Sequence, residues 1–307
     1  MAPRHTLAAT CCTTLALAAP ALAGGGSEEW TSLDREIAAL AQAASSTAQA
    51  PEGVRVSGVL RANYAWFDEP DYSAFALDNV RPRFDAAVGD FAFQIELEGQ
   101  SNTALLLEAW AGWQIADAFH LTMGRYQPPV LRSALVDPEH LLFILRTTGG
   151  TVFQFRDEGA QLAARFDPFL LRASLENGED GAGDESAYTL RADWDVVGGG
   201  VRLVEGAYGS GSQWCFTLGA AYRDDQGLDE DGDVITVDAA MTYGRFSLMG
   251  EWLSFGDGFV APDVDPAAAD QYADTSPWAA AASFMLDPEK YELALRYEQP
   301  DAADTVD

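Results

Sequence analysis

The sequence predicts an all-β fold, a transmembrane antiparallel β-barrel with a short N-terminal helix. Three observations predict it: segments of about ten residues in which apolar and polar side chains alternate, aromatic residues at their ends, and connections that are alternately short and long. A soluble β-sandwich also alternates, so alternation alone does not place the chain in a membrane. The aromatic ends and the unequal connections favour the membrane barrel.

Residues 1–23 have the features of a secretory signal peptide. Arg4 precedes an apolar run, and small residues end at Ala23. The run is shorter than the roughly 20 residues that a membrane-spanning helix needs. Cys11 and Cys12 lie in this leader, so the mature chain would keep only Cys215 and no disulfide framework is expected.

Residues 24–52 are predicted to form a periplasmic helical or coiled-coil segment and a linker. Leu33, Ile37, Leu40 and Ala44 recur at helical spacing. The pattern covers only about two heptads, which is marginal for an isolated helix. A helix that pairs between subunits and a frayed linker helix both remain open.

Residues 53–307 are predicted to form the barrel, because the apolar period changes from 3.6 to 2 residues at about this point. The segment after Phe91 is typical, with Phe93 and Ile95 on one face and Gln94 and Glu96 on the other. Counting such segments gives about thirteen strands. A barrel with both ends in the periplasm needs an even number, so we expect a C-terminally incomplete chain and a complete barrel of about sixteen strands.

Four segments carry a family resemblance: Arg81-Pro82-Arg83-Phe84-Asp85, Phe91 to Gly99, Leu121 to Pro129, and Arg156 to Leu162. These segments resemble the phosphate-selective porin O and P family of outer-membrane porins. The resemblance covers most of the mature chain and includes the helical N-terminal extension. It implies a homotrimer of sixteen-stranded barrels in the bacterial outer membrane, each narrowed by its third loop. Small polar or anionic solutes, phosphate among them, would pass through by passive diffusion.

The third loop of that family corresponds to Gln127 to Asp157, the longest connection here. Its apolar run Leu141 to Leu145 is hard to justify on a solvent-exposed rim, so we expect it to be buried against the inner wall. Arg132 and Arg146 would then face the constriction.

Charged residues on the polar face of the strands are the predicted pore lining. By parity they are Arg55, Arg61, Arg81, Arg83, Arg125, Arg165, Arg172, Arg191, Arg223, Glu96, Glu98 and Glu108. The family selects anions with lysine and arginine, whereas this chain has a single lysine, Lys290, so selection would rest on arginine. Either the arginines form a basic stripe that selects by charge, or they pair with neighbouring carboxylates and stiffen the wall.

Other chemistry is not predicted. His120 and His140 lack partners at metal-ligand spacing, no serine has a base placed to activate it, and Gly198-Gly199-Gly200 lacks the context of a phosphate-binding loop. We therefore expect no enzyme, no metal and no cofactor. The net charge of −30 argues against nucleic acid, leaving outer-membrane lipid, small solutes and other subunits as partners. The alternative function is a structural or adhesion barrel whose acidic loops bind cations.

Overall fold

The computed structural model describes residues 11–12, 53–67, 72–100, 103–178, 186–225, 232–256, 258–259, 272–287 and 290–299. The rest of the predicted signal peptide, the predicted helical segment 24–52 and the acidic C-terminal tail lie outside the described residues. The chain divides into two compact units, Met1–Leu107 and Glu108–Asp307. Among the described residues, no helix is long and apolar enough to cross a membrane.

The first unit is an antiparallel meander. Its strands are β1 (Cys11–Cys12), β2 (Gly53–Phe67), β3 (Tyr72–Val88) and β4 (Phe91–Gln100), followed by the beginning of β5 (Thr103–Ala116). The two residues of β1 pair with Asn63 and Tyr64 of β2, although the sequence assigns β1 to the signal peptide. Strand β3 pairs with β2 on one side and with β4 on the other.

The second unit continues the same pattern, and each strand is antiparallel to the one before it. Its strands are the rest of β5, β6 (Phe119–Tyr126), β7 (Asp157–Phe166), β8 (Phe169–Glu176), β9 (Ala187–Val197), β10 (Cys215–Asp225), β11 (Val234–Tyr243), β12 (Phe246–Phe255), β13 (Trp278–Asp287) and β14 (Tyr291–Gln299). Helices α1 (Arg132–Leu135) and α2 (Thr148–Val152) and a 3-10 turn (Pro138–His140) lie between β6 and β7. The all-β antiparallel fold is thereby confirmed, and β2 to β14 match the expected count of about thirteen strands.

The two faces of the strands have opposite polarity, and the apolar one is exposed. In β9, Leu190 is 53% exposed and Trp194 43% exposed, whereas Thr189, Arg191 and Asp193, which alternate with them, are buried. A soluble sheet would bury the apolar face and expose the polar one. The observed arrangement is that of a membrane barrel, in which lipid contacts the apolar side chains.

Connection lengths follow the predicted alternation with two exceptions. One lies between β4, which ends at Gln100, and β5, which begins at Thr103, where the alternation predicts a long connection. The turns at 89–90, 117–118, 167–168 and 244–245 each have two residues. The connection between β9 and β10 instead runs from residue 198 to 214, and no strand interrupts it. Because antiparallel strands alternate in direction, it lies at the same end of the second unit's sheet as the turns 167–168 and 244–245. We call residues 198–214 the inner strap.

An arginine on the exposed apolar face should destabilise the protein in a depth-dependent way. Val237 and Tyr243 share that face of β11, with Val237 nearer the strand's middle. We expect Val237→Arg to lower the free energy of unfolding from lipid vesicles by about 2–4 kcal/mol and Tyr243→Arg by about 0–1 kcal/mol. Denaturant titration of the two variants measures both values. Equal losses would contradict a lipid-facing surface.

Candidate functional site

The long connection from residue 127 to 156 packs onto the polar face of the second unit's sheet through an apolar patch. Loop residues Val130, Leu131 and Phe153 are fully buried, in one cluster with Leu253 and Phe255 of β12. Phe153 stacks on Phe255 with ring centroids 5.9 Å apart. Both ends of the loop are thus fixed to the sheet, because apolar burial holds them there.

The run expected to be buried, Leu141 to Leu145, is buried only in part. Leu141, Leu142 and Phe143 are half-buried, whereas Ile144 is 47% and Leu145 71% exposed. The residues nearest the two ends of the loop occupy the contact with the sheet instead. The middle of the loop therefore presents apolar side chains away from that contact.

Hydrogen bonds tie the start of the loop to β9 and β11. The carbonyl of Val130 accepts from Thr236 Oγ1 at 2.6 Å and from Arg191 Nη1 at 3.3 Å. The backbone N–H of Arg132 donates to Asp238 Oδ2 at 3.2 Å. Polar groups that would otherwise be buried without partners are thereby satisfied.

Arg191 is the centre of a buried ion-pair network under the loop. Its side chain is 1% exposed and lies 2.7 Å from Asp238 and 2.6 Å from Asp193. Asp193 also accepts from Arg172 at 2.7 Å. A guanidinium buried this deeply is tolerable because carboxylates and a carbonyl use its donors.

A second network surrounds Arg223. Its guanidinium lies 2.7 Å from Glu176, 3.2 Å from Asp225 and 3.7 Å from Asp157. It also lies over the ring of the loop residue Phe155, 5.0 Å from the centroid, in cation–π geometry. This network fastens the end of the loop to β7, β8 and β10.

Strand β14 holds the middle of the loop. Glu298 Oε2 accepts from the backbone N–H of Thr148 at 2.7 Å and from its hydroxyl at 2.9 Å. Arg296 donates to the carbonyl of Leu145 at 2.6 Å and lies 4.6 Å from the ring centroid of Phe143. The middle of the loop is thus also tied to the sheet.

Predicted lining residues in the first unit are also paired. Arg81 donates to Glu98 at 2.8 Å, and Arg83 donates to Asp85 at 3.2 Å. Glu96 is buried. Arg55 is exposed near the start of β2, and Arg61 is half-buried.

Other predicted residues are placed as follows. Glu108 on β5 accepts from Arg156 of the loop at 3.1 Å. Arg165 is 54% exposed and lies 3.7 Å from Asp195. Arg125 pairs with Glu158 at 2.7 Å, on the face that carries the exposed Met123. Arg125 therefore lies on the apolar face, and its predicted place in the pore lining is wrong.

The two arginines predicted for the constriction hold the loop itself. Arg132 is buried, and its guanidinium donates to the carbonyls of Val201, at 3.1 Å, and Arg202 in the inner strap. Arg146 donates to the carbonyl of Ser133 at 2.6 Å. Neither contact could be predicted from strand periodicity, because both partners lie in connections.

The inner strap lies on the same face of the sheet as the loop. The N–H of Val201 donates to Thr217 Oγ1 at 2.8 Å, and the N–H of Ala207 donates to Glu292 Oε1 at 2.6 Å. Glu205 joins the strap to the loop, since its carboxylate accepts from the N–H of Leu142 at 2.9 Å and its own N–H donates to the carbonyl of His140 at 3.0 Å. Burial raises the pKa of the Glu205 carboxyl, and the bond from Leu142 partly offsets this.

Asp137, Glu139 and His140 come together in the 3-10 turn of the loop, contrary to the expectation that His140 lacks such partners. Their potential ligand atoms lie within 4.8 Å of one another. Glu139 and His140 are exposed, and exposed acidic groups are common without an ion. We assign no metal to this turn.

Removal of Asp238 should destabilise the protein strongly. Asp238→Ala leaves Arg191 with one carboxylate fewer and the N–H of Arg132 without its acceptor, so we expect a loss of about 3–5 kcal/mol in the free energy of unfolding. Glu158→Ala breaks an exposed pair with Arg125 and should cost at most about 1 kcal/mol. Denaturant unfolding in micelles compares the two. A small loss in Asp238→Ala would refute the role assigned to the Arg191 network.

A sequence model of the Gram-negative porin family matches residues 37–307. No curated protein matches the sequence. Similar solved structures include a loop-deletion mutant of OmpT from Vibrio cholerae (12% identity, 81% of this chain and 95% of that chain, TM-score 0.38). They also include Salmonella typhi OmpF in complex with daunomycin (12%, 82% and 91%, 0.42) and Pseudomonas aeruginosa OccK11 (11%, 79% and 68%, 0.39).

Structural similarity at these TM-scores does not establish a family. The family assignment therefore rests on the match to the sequence model. That match is to Gram-negative porins in general, and it does not confirm the narrower phosphate-selective family that the sequence resembles. Porins lie in the bacterial outer membrane, where they provide channels for small solutes. The exposed apolar face and the paired charges of the polar face fit this match, and the chain belongs to the Gram-negative porin family.

Proposed function

We propose that the protein is a diffusion channel for small polar solutes, narrowed by the loop 127–156. The observation that carries the proposal is the attachment of this loop to the polar face of the sheet. Its ends are buried with Leu253 and Phe255, and its middle is bonded to Arg296 and Glu298. A loop fixed in this way has a defined position and can set the width of the passage.

The proposed charge preference is weak. Arg81, Arg172, Arg191 and Arg223 each lie within 2.8 Å of a carboxylate oxygen, so most of their field is cancelled locally. This favours the alternative in which paired charges stiffen the wall. Anions, phosphate included, would pass as small solutes without exclusive selection over neutral ones.

A homotrimer in outer-membrane lipid completes the proposal. The exposed apolar faces of the strands suit both lipid and neighbouring subunits. The mass of the folded protein in micelles, measured by light scattering with the detergent contribution subtracted, decides the number of subunits.

The proposal is tested by single-channel conductance in planar bilayers, with reversal potentials under a potassium chloride gradient. The wild-type protein should give stepwise conductance and a reversal potential close to zero. Phe153→Ala removes a buried side chain that holds the loop on the sheet, at a cost of about 3–5 kcal/mol of packing energy. The loop should then narrow the passage less and move more, so the conductance of this variant should be larger and noisier.

Phe284→Ala is the matched control, because Phe284 is an exposed residue on the apolar face. Its conductance should equal that of the wild type. Absence of conductance in the wild-type protein would refute the channel. Equal conductance in Phe153→Ala and the wild type would refute the constriction by this loop.

A further inference from the structure

The inner strap begins with three glycines that let the chain turn back onto the polar face. Gly198, Gly199 and Gly200 have φ values of 72°, 75° and 88°, a region that glycine enters without the steric cost of a side chain. The chain can therefore leave β9 sharply and return over the sheet. Its bond to Thr217, which is buried on β10, fixes the strap in that place.

A cavity of about 280 Å³ lies between the strap and the polar face of β7 to β10. This volume is near the lower end of the range of about 300–1,000 Å³ that ligand pockets occupy. Four arginines and two aspartates line the cavity together with strap residues 199–203: Arg132, Arg165, Arg172, Arg202, Asp193 and Asp195. We call it the strap pocket.

The charge of the strap pocket is opposite to that of the whole chain. Its four guanidiniums exceed its two carboxylates by two positive charges, whereas the chain carries a net charge of −30. Three neighbours reduce this excess to one positive charge: Arg191, which pairs with Asp238 at 2.7 Å and with the lining Asp193, and the exposed Asp167, which lies 3.4 Å from Arg165. Buried charges are less screened than exposed ones, so Arg132 and Arg172 act on whatever enters the pocket more strongly than the exposed Arg165 and Arg202 do.

Two buried donors of the pocket's arginines are unused. Arg132 and Arg172 each have a buried Nε–H without a hydrogen-bond partner among the described residues. Arg132 as a whole is 6% exposed. Within the described part of the chain, the Arg202 guanidinium makes long bonds to the carbonyls of Tyr208, at 3.4 Å, and Gly209, at 3.3 Å. Guanidiniums with spare donors bind the oxygens of carboxylates and phosphates.

We propose that the strap pocket binds a small oxyanion, a phosphate or a carboxylate, at the end of the channel where the short turns lie. This inference rests on the proposed channel function and adds to it a solute site that the third loop does not form alone. The strap contributes Arg202 and the backbone that covers the pocket. The loop contributes Arg132, and the sheet contributes Arg165 and Arg172. Metal ions are not expected there, because the arginines offer only donors and the two aspartates lie beside arginines, Asp193 beside Arg172 and Asp195 beside Arg165.

Isothermal titration of the folded full-length protein in micelles tests the site, with inorganic phosphate and acetate as separate probes. Either probe should bind saturably, and the tighter one identifies the class of oxyanion. Arg172→Gln should weaken binding about tenfold, the loss expected for a charge-assisted hydrogen bond. Arg245→Gln is the matched control, since Arg245 lies exposed in the turn 244–245, and its affinity should be unchanged.

Two further variants keep the test decisive if Arg172→Gln does not fold. Arg202→Gln alters an exposed strap residue and should weaken binding several-fold. Replacement of residues 198–214 by Asn-Gly, a normal two-residue hairpin turn, should abolish binding. Binding of neither probe by the wild type, or unchanged affinity in Arg202→Gln and the strap replacement, would overturn the proposal.

Conductance in potassium chloride without phosphate separates this proposal from the channel itself. A conducting protein that binds neither probe retains the channel function and lacks the site. A protein that binds phosphate but does not conduct retains the site, and the proposed channel function is then refuted.

Discussion

Arg191 lies between Asp193 on its own strand and Asp238 on β11, with nitrogen-to-oxygen distances of 2.6 and 2.7 Å, and it also donates to the carbonyl of Val130. This one buried guanidinium joins two strands and the start of the long loop. Its removal would leave Asp238 buried without its guanidinium and Asp193 with Arg172 alone, and an uncompensated buried carboxylate is strongly destabilising. The position of the start of the loop therefore depends on it.

Lipid on the apolar side of the strands explains why the charged side chains pair with one another on the opposite, polar face. Because the outward side chains are apolar, the polar side chains must lie on the inner face, where each needs a partner or water. Most charges there meet a countercharge, as Arg223 does with Glu176. The strap pocket departs from this rule, since four arginines face two aspartates and two arginine donors stay unused. The strap pocket thus combines an excess of positive charge with unused donors.

Strand periodicity predicted the polar face of β8 to β10 well. Arg172, Arg191 and Arg223 all lie where their parity places them, because lipid on one side and polar contacts on the other enforce strict alternation. Arg125 was assigned to the wrong face. It alternates regularly with Met123, so it lies on the exposed face, where it pairs with Glu158. Periodicity shows which residues share a face, but a charged residue near a strand end does not by itself show that its face is the polar one.

The sequence by itself determined the all-β fold, the strand count and the side of each central strand that faces lipid, since a period of two residues is a local property of extended backbone. The tertiary structure alone decided what the connections do. Arg132 meets the carbonyls of Val201 and Arg202, and Glu205 meets Leu142, across separations of about sixty to seventy residues. Connections have no period, and their side chains find partners only after the strands are paired. For that reason the loop's anchors and the strap pocket became visible only in the folded protein.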